Sequence, residues 1–415
     1  MAQGSIWGNR VFRRMFAAYS LSTFGDWFDI IAIATLLGLI WKVDPVWIGL
    51  TPIMYALPGI LFGQAAGVIA DRVPRRTLMI TADLLSCGLT VGLYVAETPY
   101  LIFPLLLLRS LAGVFNVPAQ QSLTRRVVAE EQLLQAASWN GLVNQIAKIG
   151  GPLIGGALLV WLSPQACLLV NAVSFLISAL ILISTGRIEG DTASASEEAV
   201  KRSFREEWRE GWQVVLGNRV LLSTTIFGFF GMIAVVLIDF QTTVLLRDLY
   251  PGNTQLFGWC IATSGVGSVI SITLLKRQKE LRSYGWLFGG GYLLIGIGFA
   301  GNGLLEPGAA VGWLLAFSWL VGLGNGMWIV TGTYLFQKEP PKETIGRVNG
   351  IQNSISSVVL VTVPLIGGWQ VQEWGASSAF FVNGCAVAVV GLIGVLFQAK
   401  IWSRNNAQKS HHLPQ

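Results

Sequence analysis

Charge is scarce in this chain. Only 12% of its residues are Asp, Glu, Lys or Arg, where a water-soluble domain carries roughly 25%. A soluble fold of 415 residues is therefore a poor fit. Histidine is rarer still: His411 and His412 both lie in the polar C-terminal tail. No buried histidine relay is available, and carboxylates are left as the titrating groups. The four cysteines, Cys87, Cys167, Cys260 and Cys385, stand alone inside apolar runs, which argues against a disulfide frame and against a metal site. The chain has no Gly-x-x-x-x-Gly-Lys-Ser/Thr loop, so ATP is not expected to drive it directly. With no catalytic Ser/His/Asp set either, it does not read as an enzyme.

What is abundant is apolar sequence. Hydrophobic residues make up 53% of the chain and the mean hydropathy is +0.59. The runs are long enough to span a bilayer, which takes about 20 residues each. Twelve spans are expected, over 16–41, 46–70, 77–96, 100–123, 136–162, 165–185, 220–246, 255–275, 284–303, 308–336, 345–371 and 376–399. The basic lead-in with Arg10, Arg13 and Arg14 precedes a run too long for a cleavable signal and reads as a cytoplasmic segment.

The net charge of +6 invites a nucleic-acid reading, but the position of the basic residues offers a duller one. Nearly all of them fall in alternate connections: Arg72, Arg75, Arg76; Arg125, Arg126; Arg187 to Arg219; Lys276 to Arg282; Lys338 to Arg347; and the tail. Only Lys42 and Arg247 fall in the opposite set, with Arg109 and Lys148 inside spans. This bias puts both termini in the cytoplasm. Tryptophans such as Trp41, Trp161 and Trp374 fall at span ends, where interfacial anchoring accounts for them.

Residues 186–219 form the one long hydrophilic connection, at the middle of the chain. Val200, Phe204, Trp208, Trp212 and Val215 recur there at helical spacing between charged residues, which predicts an amphipathic helix on the inner membrane face. The chain also repeats: Pro152-Leu-Ile-Gly-Gly156 returns as Pro364-Leu-Ile-Gly-Gly368, in the fifth span of each half. The expected organisation is an N-terminal six-helix bundle (1–185), the central cytoplasmic connection (186–219), a C-terminal six-helix bundle (220–400) and a polar tail (401–415). Two six-span halves with a path between them are a transporter architecture.

The stretch Gly63-Gln-Ala-Ala-Gly67-Val-Ile-Ala-Asp71-Arg72-Val-Pro74-Arg75-Arg76 runs from apolar sequence into a charged tip. Gly63 and Gly67 would let another helix approach closely, and the charges belong at the membrane edge. Asp71 among cations reads as a gate that holds neighbouring helix ends in one arrangement and releases them in another. Gly67-x-x-x-Asp71-Arg72-x-Pro74-Arg75-Arg76 resembles the loop 2–3 signature of the major facilitator superfamily, with Pro74 in place of the usual glycine. Arg109-x-x-x-Gly113 is similar to the fourth-span motif whose arginine is associated with proton transfer. Gly151-Pro152-x-x-Gly155-Gly156 resembles the fifth-span antiporter motif of exporters, with Ala147 where a glycine is usual. Ser22-Thr-Phe-Gly25-Asp26-Trp27 and Trp208-Arg-Glu-Gly211-Trp212 look like the branch holding macrolide efflux proteins and the enterobactin exporter.

Candidate sites follow from the residues themselves. Asp26 and Asp29 are three apart and share one face of the first span. Carboxylates inside a membrane must be protonated, paired or facing water, so the pair is either a proton-coupling site or a structural partner of Arg109 or of a loop arginine. Arg109 itself cannot deprotonate and holds a carboxylate. Asn140, Asn144 and Lys148 form a polar stripe on the fifth span and are expected to line a substrate cavity. Asp239 in the seventh span is a second coupling group or merely interfacial. Phe227 and Phe230 either wall the cavity or pack.

The expected protein is an all-α, twelve-span secondary transporter of the inner (cytoplasmic) membrane. It would act as a monomer that exchanges protons for a small amphiphilic molecule, such as a drug, macrolide or siderophore. It needs no cofactor beyond the proton gradient and no nucleic-acid partner, and lipid is its solvent. A lipid or lysophospholipid translocator and a non-transporting membrane sensor are the alternatives.

Overall fold

The computed structural model describes residues 6–186, 204–276, 283–341 and 344–402, with the side chains of 64–65, 67–68, 70–72, 134, 138, 145, 149, 204–207 and 276 outside the description. Among the described residues all regular structure is helical. A segment surrounded by lipid must satisfy its backbone internally, which a helix does within one segment. In chain order the helices of the first half are α1 (Arg10–Thr35), α2 (Pro45–Arg72), α3 (Arg75–Val95), α4 (Pro99–Val114), α5 (Asn116–Val127), α6 (Leu133–Trp161) and α7 (Pro164–Ser184). Those of the second are α8 (Phe204–Gly217), α9 (Arg219–Asp239), α10 (Thr242–Leu249), α11 (Gln255–Lys276), α12 (Gly290–Gly303), α13 (Val311–Lys338), α14 (Ile345–Trp374), α15 (Ala376–Leu396) and α16 (Gln398–Ile401).

All twelve expected spans fall on helix, though not all are single rods. Among the described residues ten stretches are long and apolar enough to cross a membrane, and the bent pair Glu130–Lys148 and Gly150–Trp161 makes an eleventh. The ninth expected span is a π-helical turn, Gly285–Gly289, running directly into α12. The fourth is broken at Phe115 into α4 and α5, and the seventh at Phe240-Gln241 into α9 and α10. The 41° bend in α6 has a local cause. Pro152 has no N–H to donate to the carbonyl of Lys148, so the ladder opens where the bend lies.

Contacts gather the chain into two units. One comprises Met1–Val43, Leu50–Ala199 and Thr254–Ala262; the other comprises Asp44–Gly49, Val200–Asn253 and Thr263–Gln415. In the first, α1 packs on α6 and α7, and α3 on α4, α5 and α7. Met15, Ala18, Met79, Ala119, Leu123 and Leu182 close its core at one end. In the second, α12 packs on α13 and α15 through glycines. A Cβ on Gly289 would lie 2.7 Å from the carbonyl oxygen of Gly391, and one on Gly291 2.8 Å from that of Gly324. Such close backbone approach is what holds helices together where lipid is as apolar as the side chains.

The amphipathic prediction for the central connection meets a helix at α8, although Val200 and the side chain of Phe204 lie outside the described residues. Much of its apolar stripe is taken up by protein. Val215 is buried with Val348 and Ile351 of α14, flanked by Trp212, and Glu210 pairs with Arg347 at 2.6 Å.

The two units carry a repeat that the sequence reading missed. Gly8-Asn9-Arg10-Val11 returns as Gly217-Asn218-Arg219-Val220, at the start of α1 and of α9. Each asparagine caps its helix: Asn9 Oδ1 accepts from the N–H of Val11 and Phe12, and Asn218 Oδ1 from those of Val220 and Leu221. Each also donates from Nδ2 to a distant carbonyl, Val127 at the end of α5 and Glu339 at the end of α13. The known repeat behaves the same way. A Cβ on Gly155 would press on Ile31 of α1, and one on Gly367 on the backbone of Leu237 in α9.

Candidate functional site

The site is built where α1 meets α4. Asp26 and Asp29, one helical turn apart, both face Arg109. The guanidinium donates through a terminal nitrogen to Asp26 Oδ1, and its Nε lies 3.4 Å from Asp29 Oδ2. The three are not equally exposed. The side chain of Asp29 is fully buried, that of Arg109 is 8% exposed, and that of Asp26 is 47% exposed. From α7, the ring of Phe175 lies 5.2 Å from the guanidinium carbon and covers it as a cation–π partner. One cation thus faces two carboxylates. With both ionised the group carries a net negative charge in a site that is mostly dry, and one proton makes it neutral. Arg109 keeps its charge at any working pH, so a proton gained or lost by this group would belong to a carboxyl.

The surroundings of Asp29 are polar but incompletely bonded. Neither of its oxygens has a well-formed hydrogen bond among the described residues, and the same holds for the buried Tyr55 hydroxyl, Asn171 Nδ2 and Arg109 Nε. Tyr55, between Pro52 and Pro58 of α2, lies within electrostatic reach of Asp29 and Arg109. Asn171 of α7 stands beside Asp29. Gly25, one turn before Asp29, explains the close fit: a Cβ there would collide with Asn171 Oδ1 and Ser174 Oγ.

The glycines of the fifth-span motif serve the same helix. A Cβ on Gly151 would strike the Trp27 side chain, and one on Gly155 would sit 2.5 Å from Ile31 Cδ1. Gly151 and Gly155 therefore seat α6 directly on the helix that carries both aspartates, with Pro152 at the bend between them and the lower half of α6. Gly156 is as tightly placed, against the backbone of Gly258.

The remaining expected residues are dispersed. Asn144 Nδ2 donates to the Tyr19 hydroxyl, the Asn140 side-chain oxygen is buried without a partner among the described residues, and Lys148 is exposed. Asp239 is the last residue of α9 and is exposed. Phe227 is buried in an aromatic cluster with Phe288, Tyr292 and Trp402. Phe230 is 57% exposed and lines an open groove of about 420 Å³ with Ile226, Val390 and Ile393. In the loop signature, the side chains of Gly67, Asp71 and Arg72 lie outside the described residues. Gly63 meets nothing within 4 Å among the described atoms, so the expected close helix approach is not seen there among them. Arg75 Nε donates to Ser122 of α5, and Arg76 donates to the Leu182 and Ile183 carbonyls at the end of α7. Those two arginines tie α3 to its neighbours, and Arg76 does so at a helix C-terminus where a cation is favoured.

One functional candidate was overlooked. Asp83, midway along α3, is buried, and it accepts from Asn116 Nδ2 at 2.8 Å and from Ser178 Oγ at 2.6 Å. Its signal was available: an ionisable residue inside an apolar span is a functional candidate by default.

Three comparisons bear on this geometry. The profile of the Major Facilitator Superfamily matches residues 15–361. An uncharacterized MFS-type transporter of Bacillus subtilis, YfiS, is 28% identical over 388 residues, covering 92% of either chain. Macrolide efflux protein A of Streptococcus pyogenes is 24% identical over 344 residues, covering 81% of this chain and 84% of its own. Among solved structures, a bacterial homologue of the human lysosomal transporter Spinster, inward-facing and unoccupied, superposes with a TM-score of 0.69. The alignment covers 96% of this chain and 97% of that one at 14% identity.

Proposed function

The chain belongs to the major facilitator superfamily, a family of membrane transporters and not of enzymes, and we propose that within it this protein is a proton-coupled exporter of a small amphiphilic molecule. The observation that carries the reading is the dry carboxylate of Asp29 facing Arg109, with the half-exposed Asp26 on the same guanidinium. One of two carboxyls sharing a cation holds the transported proton, and losing it changes the charge of the seam between α1 and α4. The two halves then rock about a substrate site, each facing state favoured by one protonation state. The Asp71 loop latches one of those states. The basic connections lie in the cytoplasm together with both termini, in the inner membrane of the cell, and the monomer is the working unit.

The macrolide efflux relative supports an amphiphilic substrate and makes a macrolide the first compound to try, with siderophores and lysolipids behind it. The test is efflux from inverted membrane vesicles under an imposed proton gradient, across that panel. Gradient-driven transport of at least one compound is expected, and its loss in an Asp26→Asn, Asp29→Asn double variant that still reaches the membrane. Transport that survives in the double variant would overturn proton coupling through this pair, and lipid movement without a gradient would favour a lipid translocator.

A further inference from the structure

A groove in the second unit runs between α9 and α15, two helices apolar enough to cross a membrane. Its volume is about 420 Å³, within the roughly 300–1,000 Å³ of small-molecule sites. Ser223, Ile226 and Phe230 of α9 form one wall and Val390 and Ile393 of α15 the other, with Ile401 of α16 at one end. Apart from Ser223 these walls are apolar. Phe227, also on α9, does not fill the space between them. Gly394 makes room for its ring, since a Cβ there would lie 2.5 Å from Phe227 Cζ, and the ring turns inward to Phe288, Tyr292 and Trp402.

The repeated helix start shows why this groove is open. Counted from Gly-Asn-Arg-Val, Arg10 and Arg14 of α1 hold the positions of Arg219 and Ser223 of α9. In the first unit Arg14 reaches across to the carbonyl of Ser184 at the end of α7, and the cleft there is small and polar, lined by both arginines. In the second unit Ser223 is too short to bridge, and an apolar groove remains. The cation one turn away is kept. Arg219 is exposed and donates to the carbonyl of Lys400 at 3.2 Å, its one polar partner among the described residues, which occupies one of five guanidinium donors. Lys400 is exposed as well. Trp402 fastens this end of the chain, its Nε1 donating to Thr224 Oγ1 at 2.9 Å. Arg219, Ser223, Ile226 and Phe230 are spaced by three and four residues, so they share one face of α9. That stripe covers about 16 Å of helix, about half the thickness of a bilayer's hydrocarbon core.

We propose that this groove binds one phospholipid with an anionic headgroup, its phosphate on Arg219 beside Lys400 and one acyl chain along Ile226, Phe230 and Ile393. A free anion would have no use for the apolar walls, and an uncharged hydrocarbon none for the two cations at the mouth. An amphiphile with a negative head uses both, and basic residues at the end of a cleft between spanning helices are a headgroup site of this kind. The length of the stripe matches a chain that lies within one leaflet. In the proposed orientation the cationic end faces the cytoplasm, so the lipid comes from the inner leaflet. Bound there, it braces α9 against α15 and α16. The inference does not depend on proton coupling.

The test takes the full-length protein from vesicles of equal phosphatidylglycerol and phosphatidylcholine into mild detergent and weighs it by native mass spectrometry. One retained phosphatidylglycerol per protein is expected, in preference to phosphatidylcholine. Arg219→Gln should cut that preference about fivefold, as expected of one basic residue at an anionic surface, and Arg219→Lys should keep most of it. Ser223→Phe and Ile393→Trp fill the groove from opposite walls, and each should abolish retention. Thermal unfolding in lipid-free detergent identifies which filled variants are folded, and either one suffices. Equal retention of the two lipids, an unchanged preference in Arg219→Gln, or undiminished retention in a folded, filled variant would overturn the proposal. Displacement of the lipid by a macrolide would overturn it too, by assigning the groove to substrate.

Discussion

At the scale of single residues, the account turns on Asp29 and Arg109. Arg109→Met leaves a buried carboxylate without its cation, and breaking a buried pair costs about 3–5 kcal/mol. Thermal unfolding in detergent should show that loss, and adding Asp29→Asn should recover part of it, because the orphaned charge is gone. A double variant as unstable as Arg109→Met would mean that Asp29 and Arg109 are not energetically coupled. This pairing was half legible in the sequence. The spacing of Asp26 and Asp29 placed them on one face, but only the fold shows that Asp29 is sealed while Asp26 is half open. Asp83 itself was legible as an ionisable residue inside an apolar span; its partners Asn116 and Ser178 were not, because they are far away in the chain.

Individual elements show how motif residues earn their positions. Gly151 and Gly155 are read most simply as places where α6 touches α1 beside Trp27 and Ile31. Gly151→Val should destabilise the protein by about 1–3 kcal/mol, as overpacking does, and should reduce transport through α1. Wild-type unfolding and transport in that variant would show that α6 does not seat α1 this way. The caps make a second prediction: Asn9→Ala and Asn218→Ala should each cost about 1 kcal/mol, visible as similar falls in denaturation midpoint. Unequal effects would argue against equivalent starts for the two halves. Helix existence was readable from the apolar runs, whereas the breaks at Phe115 and Phe240 were not read, although polar residues (Asn116, Gln120 and Gln121; Gln241, Thr242 and Thr243) follow each.

For the whole molecule, the expected arrangement of twelve spans follows from composition, and its proposed orientation from the basic residues. Single cysteines placed in a cysteine-free background test the latter. One at Lys42 should react with a membrane-impermeant reagent in intact cells, and one in the tail after Trp402 only once the cells are opened. The reverse pattern would invert the protein and the proposed direction of export. Substrate identity was not legible, because it depends on side chains drawn from many spans at once.

Proton release on binding reaches the central claim most directly. Purified protein in weakly buffered detergent is mixed with macrolides, siderophores and lysolipids while the pH is recorded. Release of protons with one compound is predicted, abolished in the Asp26→Asn, Asp29→Asn double variant although the compound still binds. Binding with no pH change, or release that persists in that variant, would contradict a proton held between Asp26, Asp29 and Arg109.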